Sequence, residues 1–274
     1  MAPEGYARPG VAGGGVIGCG LAACATALGE VRLLARSDAS AWRAEERAQA
    51  ACAKVDGGVA ERVRVTTRPA DLADCDLVVE AIVENLEAKA ELLGEIGDAC
   101  PEADLASTTS SLPVAELANR SGHADRVFGF HAFNPVHRME LVEVCLPQGL
   151  REGVLDRVRA WCRALGKTAV EVPDQSGFVV NRLLFPFLFD AVRLMQSTGM
   201  AAADIDACMR LGAGHPMGPL RLLDFVGIDV AAAIGDGLHA ESGDPAHEVP
   251  EPMRKLLAHG KLGRKSGAGF YEYE

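Results

Sequence analysis

Val11-Ala12-Gly13-Gly14-Gly15-Val16-Ile17-Gly18 is the stretch on which the fold turns. Gly13, Gly15 and Gly18 fill a G-x-G-x-x-G frame, with Val16 and Ile17 between the last two glycines. Glycine at those places permits a tight turn and close backbone approach, and a helix starting there presents unbonded N–H groups to a pyrophosphate. Such a frame means little alone in a chain with 30 glycines. Its context strengthens it. A helix-compatible stretch runs to about Leu28, and an apolar run Val31-Arg32-Leu33-Leu34 follows, giving the strand-turn-helix-strand order of a dinucleotide fold. Pro9 and Gly10 weigh against this reading, because both are poor strand residues and stand where the first strand should run.

The end of the second strand bears on which dinucleotide fits. A fold that takes NAD usually places an acid there for the ribose hydroxyls. Here the chain reads Leu34-Ala35-Arg36-Ser37, with no acid before Asp38. A small residue, a cation and a hydroxyl suit a 2′-phosphate, so Arg36 and Ser37 favour NADP, with NAD possible; the alternative is that Arg36 is a solvated loop charge.

The alternation continues. Residues 38–68 predict a helix around Ala41 to Lys54 and a connector. Asp76 to Val83 reads as a buried strand with a helix after it to about Ala99, and Leu105 to Leu112 as a short strand ending in hydroxyl residues that cap a turn or face a ligand. Val127 to Phe130 is another buried strand, placing His131 where ligands sit in an open α/β sheet. The run Met139 to Cys145 puts Glu143 inside a strand-like segment, where a carboxylate is costly unless paired. His131 is its simplest partner, as a base with an acid to fix its tautomer; a core histidine and a surface glutamate are the plain alternative. A helix from about Arg151 to Leu165 follows.

Near Val172 the rhythm changes. After Val170 to Val172 the chain predicts helices only, save for a strand in the last residues, beginning with the apolar stretch Phe178 to Met195 that contains Asn181. The expected architecture is α/β: a Rossmann-like doubly wound domain over residues 1–174, then an all-helical domain over 175–274. The apolar surface of those helices suggests burial against a second copy, a closed monomeric core being the alternative.

Composition narrows the function classes. The net charge of −11 argues against nonspecific nucleic-acid binding, and no apolar run reaches the length of a membrane span. The N-terminal MAPEGYARPG lacks the basic and apolar regions of a secretory signal. Cys19, Cys24, Cys52, Cys75, Cys100, Cys145, Cys162 and Cys208 show no ligand-like spacing, which fits reduced thiols in a cytoplasmic protein and no metal site.

The chain resembles the 3-hydroxyacyl-CoA dehydrogenase family, including the bacterial 3-hydroxybutyryl-CoA dehydrogenases, over nearly its whole length. The resemblance is carried by GGGVIG (13–18), DLVVEAIVENLEAK (76–89), STTSSLP (107–113), HAFNP (131–135), MELVEV (139–144), SGFVVNR (176–182), GHPMGPL (214–220) and LGRKSGAGFYEY (262–273). It implies a dimerising helical C-terminal domain and hydride exchange at C3 of an acyl thioester. His131 would move the hydroxyl proton and Glu143 would orient the imidazole. Ser110 and Asn181 would hold substrate oxygens, with Glu84 and Lys89 near the nicotinamide.

Departures from the family pattern are informative. Its acid after the second strand is replaced by Ala35. Thr108, Ser176 and Gly214 stand where it has Asn, Pro and Asn, and Glu140 where it has Lys. The segment before Asp76, which in the family carries a helical hairpin over the coenzyme A moiety, is shorter and less basic. This resembles a branch that oxidises hydroxyacyl groups on an acyl carrier protein during polyketide extender-unit synthesis (hydroxymalonyl or methoxymalonyl type). The alternatives are an ordinary 3-hydroxybutyryl-CoA dehydrogenase with a trimmed loop, and a non-catalytic dinucleotide-binding protein.

Overall fold

The computed structural model describes residues 5–273; residues 1–4, part of the N-terminal stretch discussed above, and residue 274 lie outside it. The chain forms two compact units, Met1–Gln175 and Ser176–Glu274.

The first unit runs β1 (Pro9–Ala12), α1 (Val16–Ala25), β2 (Val31–Leu34), α2 (Asp38–Cys52), β3 (Val63–Thr66), β4 (Leu77–Glu80), α3 (Leu86–Ala99), β5 (Asp104–Ser107), α4 (Val114–Ser121), β6 (Val127–Ala132), β7 (Leu141–Cys145), α5 (Val154–Ala164) and β8 (Thr168–Glu171). Among the described residues these strands make one eight-stranded sheet in the order β3-β2-β1-β4-β5-β6-β7-β8. The chain winds outward in one direction through β3, then returns to β4 beside β1, so the strand order reverses between β1 and β4. Ligand clefts of open α/β sheets form at such a reversal, outside the carboxyl ends of the strands. All neighbouring pairs are parallel except β6 and β7, which are antiparallel.

Period-two alternation assigns each strand residue to a face. Val11, Leu33, Val79, Ala106 and Phe128 join one buried cluster with α1, α2 and α5. Their neighbours Ala12, Leu34, Val78, Leu105 and Val127 join the other, against α3 and α4. Covering both faces explains why these strands read as near-continuous apolar runs.

Two expectations are corrected here. Pro9 and Gly10 do not prevent β1: proline is tolerated as the first strand residue, and glycine at position 10 suits a tight place, where an added Cβ would lie 3.1 Å from Cys75 Sγ and 3.3 Å from Leu72 Cδ2. The segment read as a helix plus connector also contains β3, a half-buried edge strand beside β2.

In the second unit α6 (Val180–Thr198), α7 (Ala202–Gly212), α8 (Pro219–Val226), α9 (Ile228–Ser242) and α10 (Glu251–Ala258) enclose a core of Phe185, Phe189, Leu220, Leu223, Ile228 and Met253. Two buried acids close it. Asp206 accepts the Leu220 and Arg221 amides at the start of α8, and Asp224 accepts the Phe270 and Tyr271 amides of the tail. The strand foreseen in the last residues is reduced to isolated bridges at Gly263, Ala268 and Glu272. No described helix is long and apolar enough to cross a membrane, and no described cluster could hold a metal ion.

Gly18 is the packing point of the glycine turn, since a Cβ there would lie 2.0 Å from the Gly13 carbonyl oxygen. That contact is backbone and cannot yield, so Gly18→Ala is expected to lower stability by about 1–3 kcal/mol. Gly29→Ala, which meets nothing within 4 Å, should stay within about 0.5 kcal/mol in the same urea titration.

Candidate active site

A cleft of about 1020 Å³ opens at the carboxyl ends of β1, β2 and β4, over the strand-order reversal. Its floor is the glycine turn. Gly13 has φ +133° and a Cβ there would lie 2.3 Å from the Ala81 carbonyl oxygen, so only glycine fits. Gly15 differs: its added Cβ would meet only that carbonyl, at 3.9 Å, so its open side faces the cleft. It N-caps α1 with no side-chain cap, and the first turn of α1 carries no acid. Unbonded amides and the positive end of the helix therefore face the floor, an arrangement suited to a pyrophosphate.

Val16, Ile17, Arg36, Glu84 and Ser110 join Gly13 and Gly15 in the wall. Three of the expected cofactor residues take other places. Gly18 packs the helix against the turn. The Ser37 hydroxyl accepts the Ser40 amide in a reciprocal capping box at the start of α2, and Ser40 lines the cleft instead. Lys89 is fully buried, outside the cleft lining. Its ammonium donates to both oxygens of the equally buried Glu80, at 2.9 and 3.0 Å, and to the Ile82 carbonyl at 3.4 Å. Glu80 also accepts the Ser107 hydroxyl and the Ile82 amide, each at 2.6 Å.

That buried pair underlies Glu84. One Glu84 oxygen, Oε1, gathers the Thr109 hydroxyl and the Ser110 amide at 2.8 Å, with the Ser111 amide and hydroxyl at 3.0 Å. The run of hydroxyls expected to cap or to bind thus wraps a carboxylate, and the Ser110 hydroxyl is 3.3 Å from it. Burial alone would raise the Glu84 pKa, but Lys89, the Ser110 amide and the two hydroxyls outweigh it and hold the acid below its ordinary value.

His131 is the penultimate residue of β6, and the chain reverses through residues 133–140 before β7. The antiparallel register sets His131 directly opposite Glu143. Both are buried, and His131 Nδ1 lies 2.7 Å from Glu143 Oε2. A carboxylate at that distance favours the tautomer with the proton on Nδ1. The Phe133 ring packs at 4.4 Å from the imidazole. Lys167 holds the reversal from behind, donating to the Val136 and Met139 carbonyls at 2.6 and 2.9 Å.

Asn181 lies in the second unit, buried in the first turn of α6. Gly177 (φ +75°) and Phe178 (φ +44°) adopt left-handed backbone just before it. For a bulky side chain that conformation is strained, and strain of this kind collects at functional sites. Wall residues that sequence reasoning missed include Ser40, Arg43 and Arg47. Their three- and four-residue spacing marks one helix face, but the spacing alone does not say which face the cleft uses.

Residues 9–175 match the family described as 3-hydroxyacyl-CoA dehydrogenase, NAD binding domain, and residues 177–273 its C-terminal domain. The chain is 44% identical over 213 residues to a probable 3-hydroxybutyryl-CoA dehydrogenase of Deinococcus radiodurans, covering 77% of each chain. It is 46% identical over 201 residues to the mitochondrial hydroxyacyl-coenzyme A dehydrogenase of Sus scrofa, a match covering 73% of this chain and 64% of the relative. The crystal structure of (S)-3-hydroxybutyryl-CoA dehydrogenase from Ralstonia eutropha superposes with a TM-score of 0.90 at 32% identity, covering 98% of this chain and 99% of that one.

A depressed carboxyl contributes stability that is present above its unfolded pKa of about 4.3 and is lost as pH falls through the lower folded value. Urea unfolding should therefore show wild type more stable than Glu84→Gln by a constant margin from about pH 8 to pH 5, closing below about pH 4. A margin independent of pH would contradict the carboxylate's role in holding residues 109–111.

Proposed function

The chain belongs to the 3-hydroxyacyl-CoA dehydrogenase family, and on that premise we propose that it interconverts a 3-hydroxyacyl thioester and the 3-oxoacyl thioester with a nicotinamide dinucleotide. The observation that carries this reading is the buried His131–Glu143 pair, set by the β6–β7 register in the same unit as a cleft built for a pyrophosphate. Bound NAD(P) supplies the acceptor for the hydride that leaves C3. Oxidation converts a 3-hydroxyacyl thioester and NAD(P)⁺ into a 3-oxoacyl thioester, NAD(P)H and a proton.

The side chains do the rest. His131 Nε2 takes the hydroxyl proton as the C3 carbonyl forms, and returns it in reduction. Glu143 stabilises the resulting imidazolium through Nδ1, so a charge appearing in a buried place meets its counter-charge without reorganisation. Glu84 holds the Ser110 segment at the cleft wall, where the Ser110 hydroxyl is proposed to bind a substrate oxygen. Asn181 is proposed to bind the thioester oxygen.

NADP is the proposed cofactor, with NAD possible. Arg36 lines the cleft, and the residue before it is the buried Ala35, where an acid would repel a 2′-phosphate. The proposed carrier is an acyl carrier protein in polyketide extender-unit synthesis. Its support is the short stretch after β2: one helix, α2, and a brief connector precede β3, with no helical pair to embrace the nucleotide of coenzyme A. A coenzyme A substrate is the competing reading, favoured by the activities for which the relatives are named. A homodimer through the second unit is proposed from apolar side chains it exposes, among them Leu183 and Leu211. A cytoplasmic setting is proposed from free cysteines that, Cys208 excepted, are all buried.

Replacing His131 by Ala should lower kcat by about 10²–10⁴-fold while leaving dinucleotide affinity, measured by calorimetry, within about twofold. Unchanged turnover would end the proposed mechanism. Initial rates with one 3-oxoacyl group on coenzyme A and on carrier protein should favour the carrier protein. Equal or faster turnover on coenzyme A would demote the short segment to loop variation.

A further inference from the structure

We propose that Arg43 and Arg47 of α2 complete, with Arg36, a three-guanidinium cradle for the 2′-phosphate of the dinucleotide. This rests on the NADP reading above and extends it to residues that no motif of the chain marks. The first ground is placement. Ser40, Arg43 and Arg47 recur at the three- and four-residue spacing of one helix face, and that face borders the cleft. Helix α2 is pressed against the glycine turn, since a Cβ on Gly14 would lie 2.7 Å from Ala44 Cβ, and Arg47 Nη1 donates to the Gly14 carbonyl at 2.9 Å. The arginines therefore stand between the pyrophosphate floor and the end of β2, where the adenosine ribose of a dinucleotide lies in this fold.

The second ground is unspent charge. The guanidinium groups of Arg36 and Arg43 have no hydrogen-bond or ion-pair partner among the described residues, although those of most other arginines of this unit do. Three like charges on one wall repel one another and are relieved by a dianion, which guanidinium groups bind through paired, charge-assisted hydrogen bonds. The wall's acids, Glu84, Glu91 and Glu95, come from the loop after β4 and from α3, not from β2 or α2. Asp38, the acid nearest the end of β2, does not line the cleft. The chemistry selected is thus a phosphate monoester on the ribose.

The test is calorimetric binding of 2′-phospho-ADP-ribose and of ADP-ribose, neither of which can turn over, to wild type, Arg36→Ala, Arg43→Ala and Arg47→Ala. Wild type should prefer the phosphorylated ligand by about 100-fold or more, and Arg43→Ala should lose about tenfold on it with less than about a twofold change for ADP-ribose. Because Arg47 also holds the Gly14 carbonyl, its variant should weaken both ligands, the phosphorylated one more. A wild type without preference would overturn the NADP reading and the cradle with it. A wild-type preference that survives in Arg43→Ala would overturn the cradle alone and assign the phosphate to Arg36. Equal losses on both ligands in Arg43→Ala would overturn it as well, showing a structural role.

Discussion

An ion pair with almost no access to water, Glu80 with Lys89, is the constraint on which the cleft depends. Removing two charges from water costs several kcal/mol per ion unless every lone pair and proton finds a partner. Here the partners come from three elements. Lys89 reaches from the first turn of α3, Glu80 ends β4, and the Ser107 hydroxyl ends β5, while the Ile82 amide and carbonyl bend the chain around the pair. The cluster fixes where the loop after β4 leaves the sheet, and so where Glu84 gathers residues 109–111. A hydrophobic pair of equal volume would pack there, but it would not dictate the direction of that turn.

The His131–Glu143 pair obeys the same rule by another route. Its geometry comes from the ladder, since two residues directly opposite in an antiparallel pair have their side chains on the same face within reach of each other. A parallel continuation would have needed a long crossover and could not have set these two residues face to face through a short loop. The single change of strand direction in the sheet is the device that sets His131 against Glu143.

Much of this was legible from residue order. The glycine frame, the apolar runs and the switch to helices define the two units because each rests on periodicity that burial enforces over several residues. Pro9-Gly10 misled because propensity speaks of an average strand, whereas Gly10 answers to Cys75 and Leu72, far away in sequence. β3 escaped notice because a half-buried edge strand of four residues carries little pattern. Lys89 and Ser37 show a different limit. Both bear the right chemistry near the right motif, yet Lys89 is consumed by Glu80 and Ser37 by Ser40. Only backbone register decides whether a polar side chain faces a ligand or a neighbour. The arginines of α2 show the converse, since nothing in their spacing says which side of the helix the cleft lies on.

The location of His131 on a strand, not on a loop, carries a consequence for how such a protein changes over time. His131 and Glu143 belong to the hydrogen-bonded ladder, whereas much of the cleft wall belongs to turns and helix ends. Lengthening, trimming or recharging those turns would reshape the wall without displacing the His131–Glu143 pair. The wall and the pair can therefore change separately. A lineage can thus vary the stretch between β2 and β4 by small steps while the ladder that holds His131 against Glu143 stays intact throughout.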